Sequence, residues 1–208
     1  MKKRITSLVF DFGNVITLPQ DASAAAAMAA ALGGAERGAL AAAYAAGRDA
    51  YDRGDAGPAE YWRGVGERLG VRVDEALLEE LKRLDVASWF NMNEAMLAFI
   101  RARRGEVRRL ALLSNTHEEG VRQLKANAPW LADFDVAILS CEHRLLKPEP
   151  AIFRLCLERL GEAAEDCLFI DDLAVNVEGA RAVGMRGHVF TGLAGLEAEL
   201  AAGYELAR

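Results

Sequence analysis

Residues 7–15, SLVFDFGNV, decide how the rest of the chain is interpreted. Ser7–Phe10 is apolar, favours a β-strand and ends abruptly at Asp11. The pattern therefore predicts a short buried strand that leads into a loop. A carboxylate directly after a buried strand is unfavourable unless it is paired or bound to a metal, so Asp11 is the first candidate for a functional residue.

The second half of the chain alternates regularly between two kinds of element. We predict strands at Arg109–Leu113, Val136–Leu139, Cys167–Ile170 and Gly187–Phe190, with helices near 117–127, 151–160, 175–183 and 193–201. Such alternation is typical of α/β proteins with a doubly wound parallel sheet covered by helices on both faces. Ligands of these sheets bind beyond the carboxyl ends of the strands.

Between the first strand and this alternating region the sequence is helical in character. Ala22–Ala31 and Ala39–Ala46 are alanine-rich and favour helices, and Asp74–Leu84 has leucines at helical spacing. The segment Arg53–Pro58, RGDAGP, predicts a turn, with Pro58 opening the next helix.

Composition excludes several classes of function. The 208 residues carry a net charge of −6 and no block of basic residues, which argues against binding to nucleic acid or to an anionic membrane surface. No stretch has the length and apolarity of a membrane span. The three cysteines are an odd number and lack the spacing of a disulfide framework, which favours reduced thiols and a cytoplasmic protein. We expect either a monomer or a homodimer.

Polar residues follow four of the predicted strands at the same edge of the sheet. They are Asp11, the pair Ser114-Asn115, Lys147 in a loop, and the pair Asp171-Asp172. Converging carboxylates repel one another, and a hard divalent cation such as Mg²⁺ resolves that repulsion. Hydroxyl and amide groups at a helix start, together with a fixed lysine, suit the binding of a phosphate group. The ligand expected here is a small-molecule phosphate ester.

Four motifs in the same order resemble the haloacid dehalogenase (HAD) superfamily of hydrolases. They are VFDFGNV at 9–15, LLSNT at 112–116, KPE at 147–149, and FIDD at 169–172 with Asn176, Gly179 and Ala180 after it. The chain is most similar to the sugar-phosphatase branch that carries Asp-x-Gly-Asn-Val, which includes an α-D-glucose-1-phosphate phosphatase. It more loosely resembles the phosphatase domain of soluble epoxide hydrolases.

This resemblance implies a domain organisation and a reaction. The Rossmann-like core would comprise residues 1–18 and 93–208, and residues 19–92 would form an inserted α-helical cap. The implied reaction is hydrolysis of a small phosphorylated metabolite, with a sugar phosphate as one candidate. Asp11 would attack phosphorus and form an aspartyl-phosphate.

The resemblance also assigns roles to the other residues of the site. Mg²⁺ would be held by Asp11, the carbonyl group of Gly13 and Asp172. Ser114 and Lys147 would take part in catalysis and, with Asn115, bind the phosphate group. Asp171 and Asn176 would support the metal ligands from behind.

One position departs from the pattern of most HAD phosphatases, which carry a general acid two residues after the nucleophile. Here that position is Gly13. Two alternatives therefore stay open: a haloacid dehalogenase-type hydrolase, which the acidic pair Asp171-Asp172 opposes, and a low-turnover phosphate-binding regulatory module. We expect His117 to be a surface residue, and Trp62, Trp89 and Trp130 to serve packing.

Overall fold

The protein is described by a computed structural model that covers residues 2–208. Its main sheet has five parallel strands in the order β4-β3-β2-β5-β6. The strands in chain order are β1 Lys3–Ile5, β2 Ser7–Phe10, β3 Arg109–Ser114, β4 Val136–Leu139, β5 Cys167–Asp171, β6 Arg186–Val189 and β7 Tyr204–Leu206. Strands β1 and β7 pair in parallel as a separate two-stranded sheet, which the sequence did not predict.

The helices fall into two groups along the chain. Those before residue 92 are α1 Ala22–Ala31, α2 Arg37–Ala45, α3 Arg48–Arg53, α4 Pro58–Leu69 and α5 Glu75–Trp89. Those after it are α6 Glu94–Arg103, α7 Glu118–Asn127, α8 Ser140–His143, α9 Pro150–Leu160, α10 Ala174–Ala182 and α11 Leu193–Gly203. Among residues 2–208, no helix is both long and apolar enough to cross a membrane.

The main sheet is covered on both faces, as the alternating sequence predicts. Side chains of a strand alternate between its faces, so Leu8 and Phe10 of β2 join one hydrophobic cluster while Val9 joins another. Helices α6, α7 and α11 contribute to the first cluster, and α9 and α10 contribute to the second. The expected doubly wound α/β fold is confirmed.

A third hydrophobic cluster draws its buried residues only from the segment between Met28 and Leu84, and it includes the fully buried Trp62. The chain segments that lead into and out of this region lie side by side. The N–H of Leu18 donates to the Asn91 carbonyl at 2.7 Å, and the N–H of Asn93 donates to the Ile16 carbonyl at 2.9 Å. We call residues 19–92 the cap, and their boundaries stay a prediction.

Helix α3 is the main local difference from the expected structure of the cap. The sequence predicts a turn over Arg53–Pro58 and assigns no element to residues 47–52, but Arg48–Arg53 forms a helix. Gly47 and Gly54 bound this helix, both with positive φ angles that glycine adopts without strain. Helix α3 packs on α8 of the core, where a β-carbon at position 54 would lie 3.0 Å from the Cys141 carbonyl oxygen.

Candidate active site

A buried lysine joins the first and last motifs at the carboxyl edge of the sheet. Lys147 Nζ lies 2.6 Å from Asp11 Oδ1 and 2.7 Å from Asp171 Oδ2. Asp11 directly follows β2, and its N–H donates to the Ile170 carbonyl of the neighbouring strand β5. Residues separated by more than half of the chain are thus brought into direct contact, as the strand-end argument predicts.

Asn115 fixes the segment that carries this lysine. The Lys147 N–H donates to Asn115 Oδ1 at 2.9 Å, and Asn115 Nδ2 donates to the Lys147 carbonyl at 3.0 Å. The amide side chain therefore holds the main chain of Lys147. Asn115 also lines the cavity, and its contact with phosphate stays a prediction. Ser114, at the end of β3, bonds only weakly to its neighbour's carbonyl oxygen at 3.4 Å, so its hydroxyl group is available to a ligand.

The two acidic residues of the last motif have different surroundings. Asp171 is fully buried and accepts hydrogen bonds from Lys147, from the Leu173 N–H at 2.8 Å and from Asn176 Nδ2 at 3.1 Å. Asp172 is half-buried and accepts from Asn14 Nδ2 at 2.9 Å. Asp172 is therefore the more accessible of the pair. Asp171 holds Lys147 in place, and Asn176 in turn holds Asp171.

The charges of this cluster fit a divalent cation. Asp11, Asp171 and Asp172 each place a carboxylate oxygen within 4.8 Å of the others, and Lys147 is the one ammonium group in direct contact with them among the described residues. Three carboxylates and one ammonium leave two negative charges in excess. Carboxylate oxygens, with the carbonyl oxygen of Gly13 nearby in the chain, are the ligands that hard divalent cations prefer.

Burial disturbs the protonation of the nucleophile candidate. Burial raises the pKa of Asp11 to about 7, although the ammonium group of Lys147 works in the opposite direction. Burial also lowers the pKa of Lys147, but the two carboxylates beside it outweigh burial and raise that pKa above its usual value. A bound cation next to Asp11 would favour its carboxylate form.

These residues line a cavity of about 280 Å³ between the core and the cap. The core side consists of Asp11, Ser114, Lys147 and Asp172 with their neighbours. The cap side consists of Tyr44, Arg48, Asp52, Val86, Trp89 and Phe90. The volume lies just below the usual range for ligand pockets, so the cavity suits a small ligand.

Trp89 was expected to serve packing, and this interpretation is wrong in part. The tryptophans Trp62 and Trp130 are buried in hydrophobic clusters, but Trp89 lines the cavity. Its ring lies beside Gly13, and its Nε1 donates to the Tyr44 hydroxyl at 3.1 Å. The last turn of α5 therefore brings a cap residue to the position next to the nucleophile.

His117 is buried, not on the surface as we expected, with only 3% of its area exposed. Its Nε2 lies 3.2 Å from Asp85 Oδ2 of the cap, and its Nδ1 lies 3.3 Å from Glu119 Oε2 of the core. The ring stacks on Tyr51 of α3 with 4.4 Å between centroids. Asp85 and Tyr51 come from the cap, far from His117 in the sequence. The residues around position 117 therefore could not show that His117 is buried.

Hydrogen bonds set the protonation of this histidine cluster. Burial lowers the pKa of His117, but the bonds to Asp85 and Glu119 outweigh burial, and the pKa is raised above its usual value. Burial raises the pKa of Glu119, yet hydrogen bonds from His117 and Tyr51 bring that pKa down to about 2. The cluster is therefore an ionic contact between cap and core.

Comparison with curated proteins finds two phosphatases among the relatives. The chain is 34% identical over 112 residues to phosphatase MT3486 of Mycobacterium tuberculosis (strain CDC 1551 / Oshkosh). The aligned region covers 53% of this chain and 52% of that protein. It is 30% identical over 130 residues to human N-acylneuraminate-9-phosphatase, and the aligned region covers 61% of this chain and 52% of that protein. The chain thus matches about half the length of these relatives.

Comparison with solved structures supports the fold. A HAD family enzyme of Bacteroides thetaiotaomicron, bt-2542, in complex with magnesium and inorganic phosphate, superposes with a TM-score of 0.69 and 23% identity, over 88% of this chain and 93% of that one. The family model described as haloacid dehalogenase-like hydrolase matches residues 5–184, which contain Asp11, Ser114, Lys147 and Asp172. The chain belongs to the haloacid dehalogenase-like hydrolase family.

Proposed function

We propose that this protein is a Mg²⁺-dependent phosphatase that hydrolyses a small phosphorylated metabolite through an aspartyl-phosphate on Asp11. The observation that carries the proposal is the buried contact of Lys147 with both Asp11 and Asp171, beside the more accessible Asp172. The phosphatases among the relatives and the magnesium and phosphate bound by bt-2542 support the same reading.

The proposed reaction has two displacements at phosphorus. Lys147 holds Asp11 Oδ1, so the other carboxylate oxygen attacks phosphorus while the bond to the leaving oxygen breaks. Water then attacks phosphorus of the acyl phosphate, the bond between phosphorus and the Asp11 oxygen breaks, and inorganic phosphate leaves with the protons of that water. Ser114 and Lys147 bind the transferring phosphoryl group throughout. Mg²⁺, held by Asp11, Gly13 and Asp172, would supply charge neutralisation at the phosphoryl oxygens.

The leaving oxygen receives no proton from position 13, because Gly13 has no side-chain acid. His117 is a poor substitute, since each ring nitrogen already faces a carboxylate. General acid catalysis is typically worth about 10²–10⁴ in rate. We therefore propose substrates whose leaving group departs easily, and a sugar esterified at its anomeric oxygen is one such substrate.

Hydrolysis of p-nitrophenyl phosphate tests the proposal, with and without Mg²⁺ and with Asp11→Asn as the inactive control. We expect metal-dependent release of phosphate by the wild-type protein, less than a few per cent of that rate in Asp11→Asn, and an intact-mass shift of the acid-quenched wild-type protein that corresponds to a phosphoryl group. An Asp11→Asn variant with most of the wild-type activity would exclude the covalent mechanism.

Two further measurements, halide release and phosphate binding, separate the alternatives from the phosphatase. A dehalogenase would release halide from a 2-haloacid without metal and leave the aryl phosphate intact. A regulatory module would bind phosphate in the presence of Mg²⁺ but show negligible turnover. The acidic Asp172, which faces the cavity, favours the metal-dependent reaction over the dehalogenase.

The free thiols of Cys141, Cys156 and Cys167 support a cytoplasmic location.

A further inference from the structure

The cap side of the cavity contains a fixed ion pair that the proposed mechanism does not use. Arg48 and Asp52 lie one turn apart on α3, and Arg48 Nε lies 2.9 Å from Asp52 Oδ2. Both residues line the same cavity as Asp11. They form part of the cap wall of this cavity, whereas Asp11, Ser114 and Lys147 form part of its core wall.

Arg48 is held in one position by its neighbours. Its Nη1 donates to the Tyr44 hydroxyl at 2.6 Å and lies 3.3 Å from Asp85 Oδ2. Its guanidinium carbon lies 5.0 Å from the centroid of the Tyr44 ring and 5.6 Å from that of Tyr51, so aromatic rings pack against the cation. The side chain keeps 18% of its area exposed and lines the cavity.

Asp52 is the unusual member of the pair, because one of its oxygens has no hydrogen-bond partner. Within residues 2–208, Oδ2 accepts from Arg48, but Oδ1 is shielded from solvent and accepts from no group. Helix α3 is fixed against the core, since Ser140 Oγ donates to the Asp52 carbonyl and Arg53 pairs with Glu149. A buried carboxylate oxygen without a donor is unfavourable, and a rotation of the carboxylate group would bring it to a ligand hydroxyl in the cavity that Asp52 lines.

We propose that Arg48 and Asp52 form the leaving-group subsite, and that it selects a neutral, hydroxyl-bearing group such as a polyol or sugar over a leaving group with its own negative charge. A hydroxyl group can donate to Asp52 Oδ1, and a neighbouring hydroxyl oxygen can accept from Arg48. The inference rests on the proposed phosphatase function and adds the class of substrate to it.

Charge pairing at this wall argues against an anionic leaving group. Arg48 is already paired with Asp52 and Asp85, and His117 is paired with Asp85 and Glu119. A carboxylate of the substrate would therefore meet no unpaired cation here, and it would approach the unpartnered oxygen of Asp52. Like charges brought together in a desolvated site repel strongly, whereas a hydroxyl group is accepted by both members of the pair.

Two esters of nearly equal size test the proposal, because they differ in one group. Glycerol 3-phosphate has a terminal hydroxymethyl group where 3-phosphoglycerate has a carboxylate. We expect the wild-type protein with Mg²⁺ to prefer glycerol 3-phosphate by about tenfold or more in kcat/KM. Asp52→Asn should reduce that preference by about tenfold, mainly through KM. Asp49→Asn, an exposed residue on the same helix, is the matched control and should keep the wild-type ratio.

Calorimetric titration of both esters into Asp11→Asn with Mg²⁺ measures the same preference without turnover. The result is therefore independent of whether the phosphatase proposal holds, which p-nitrophenyl phosphate tests separately. Equal binding of the two esters, binding of neither, or tighter binding of 3-phosphoglycerate would overturn the subsite. An unchanged ratio in a folded Asp52→Asn variant, as judged by its thermal unfolding, would also overturn it.

Discussion

The indole ring of Trp89 lies so close to Gly13 that a β-carbon at position 13 would be 3.4 Å from Cζ3 of the ring. Gly13 has a φ angle of −64°, which any residue can adopt, so its backbone does not require glycine. The cap thus occupies the space beside the nucleophile in which most related phosphatases carry an acid. An alanine fits at ordinary contact distance, whereas a longer side chain must displace the indole.

The missing acid predicts a steep dependence of rate on the leaving group. Across phosphate esters with graded leaving-group pKa values, we expect wild-type single-turnover rates to fall by about 10²–10⁴ from aryl to primary alkyl esters, because no side chain protonates the leaving oxygen. Gly13→Asp should flatten this dependence, and Gly13→Ala, which adds bulk without an acid, should keep it. Wild-type rates that are indifferent to the leaving group would point to another proton donor.

Metal titration distinguishes the two acids of the last motif. Asp172→Ala should raise the Mg²⁺ concentration needed for half-maximal activity, and by more than Asp171→Ala does, because Asp171 is already occupied by Lys147, Asn176 and a backbone N–H. Asp171→Ala should instead lower the free energy of unfolding, by about 3–5 kcal/mol, since it leaves a buried ammonium group partly unpaired. The reverse order of metal requirements would contradict our assignment of Asp172 as the ligand.

The histidine cluster predicts how stability depends on pH. Because the folded-state pKa of His117 is raised, its stabilisation is fully present below about pH 6.5 and is lost as the pH rises through the folded-state value. The pKa of Glu119 is lowered to about 2, so its contribution is present above about pH 4.5 and is lost as the pH falls towards 2. Both contributions are complete between about pH 4.5 and 6.5.

Urea unfolding at several pH values checks this window. We expect His117→Gln to be destabilised relative to wild type by about 3 kcal/mol near pH 6, with a smaller difference near pH 9 where the imidazole is neutral. His143, a partly exposed histidine outside this cluster, supplies the control variant His143→Gln. A destabilisation of His117→Gln that does not change with pH would show that the ring contributes only by packing.

Removal of the cap tests the predicted domain boundary. Because the N–H of Leu18 donates to the Asn91 carbonyl, the chain ends on either side of residues 19–92 already lie together. Joining Leu18 to Asn93 through a short glycine linker should leave a folded core that hydrolyses p-nitrophenyl phosphate without selectivity among other esters. Circular dichroism and solubility report the fold, and an insoluble product would mean that the cap and the core share one hydrophobic core.

The sequence predicted that Asp11, Ser114 and Asp171 lie at strand ends, because the apolar pattern of a strand is local. Asp11, Ser114 and Asp171 could therefore be placed at one edge of the sheet before any contact was known. Residues that depend on the cap could not be placed. His117 is buried by Asp85 and Tyr51, and the short polar helix around Arg48 buries Tyr51 between Tyr61 of the cap and His117 of the core.

The paired linkers of the cap have a consequence for how the family can diversify. At the predicted boundary the chain leaves the core after Leu18 and returns at Asn93, and backbone hydrogen bonds tie the outgoing segment to the incoming one. The entropy of closing such an excursion grows only slowly with its length, so insertions of different size are tolerated at this point. Recombination can therefore exchange the whole cap while the sheet register and the position of Asp11 stay unchanged.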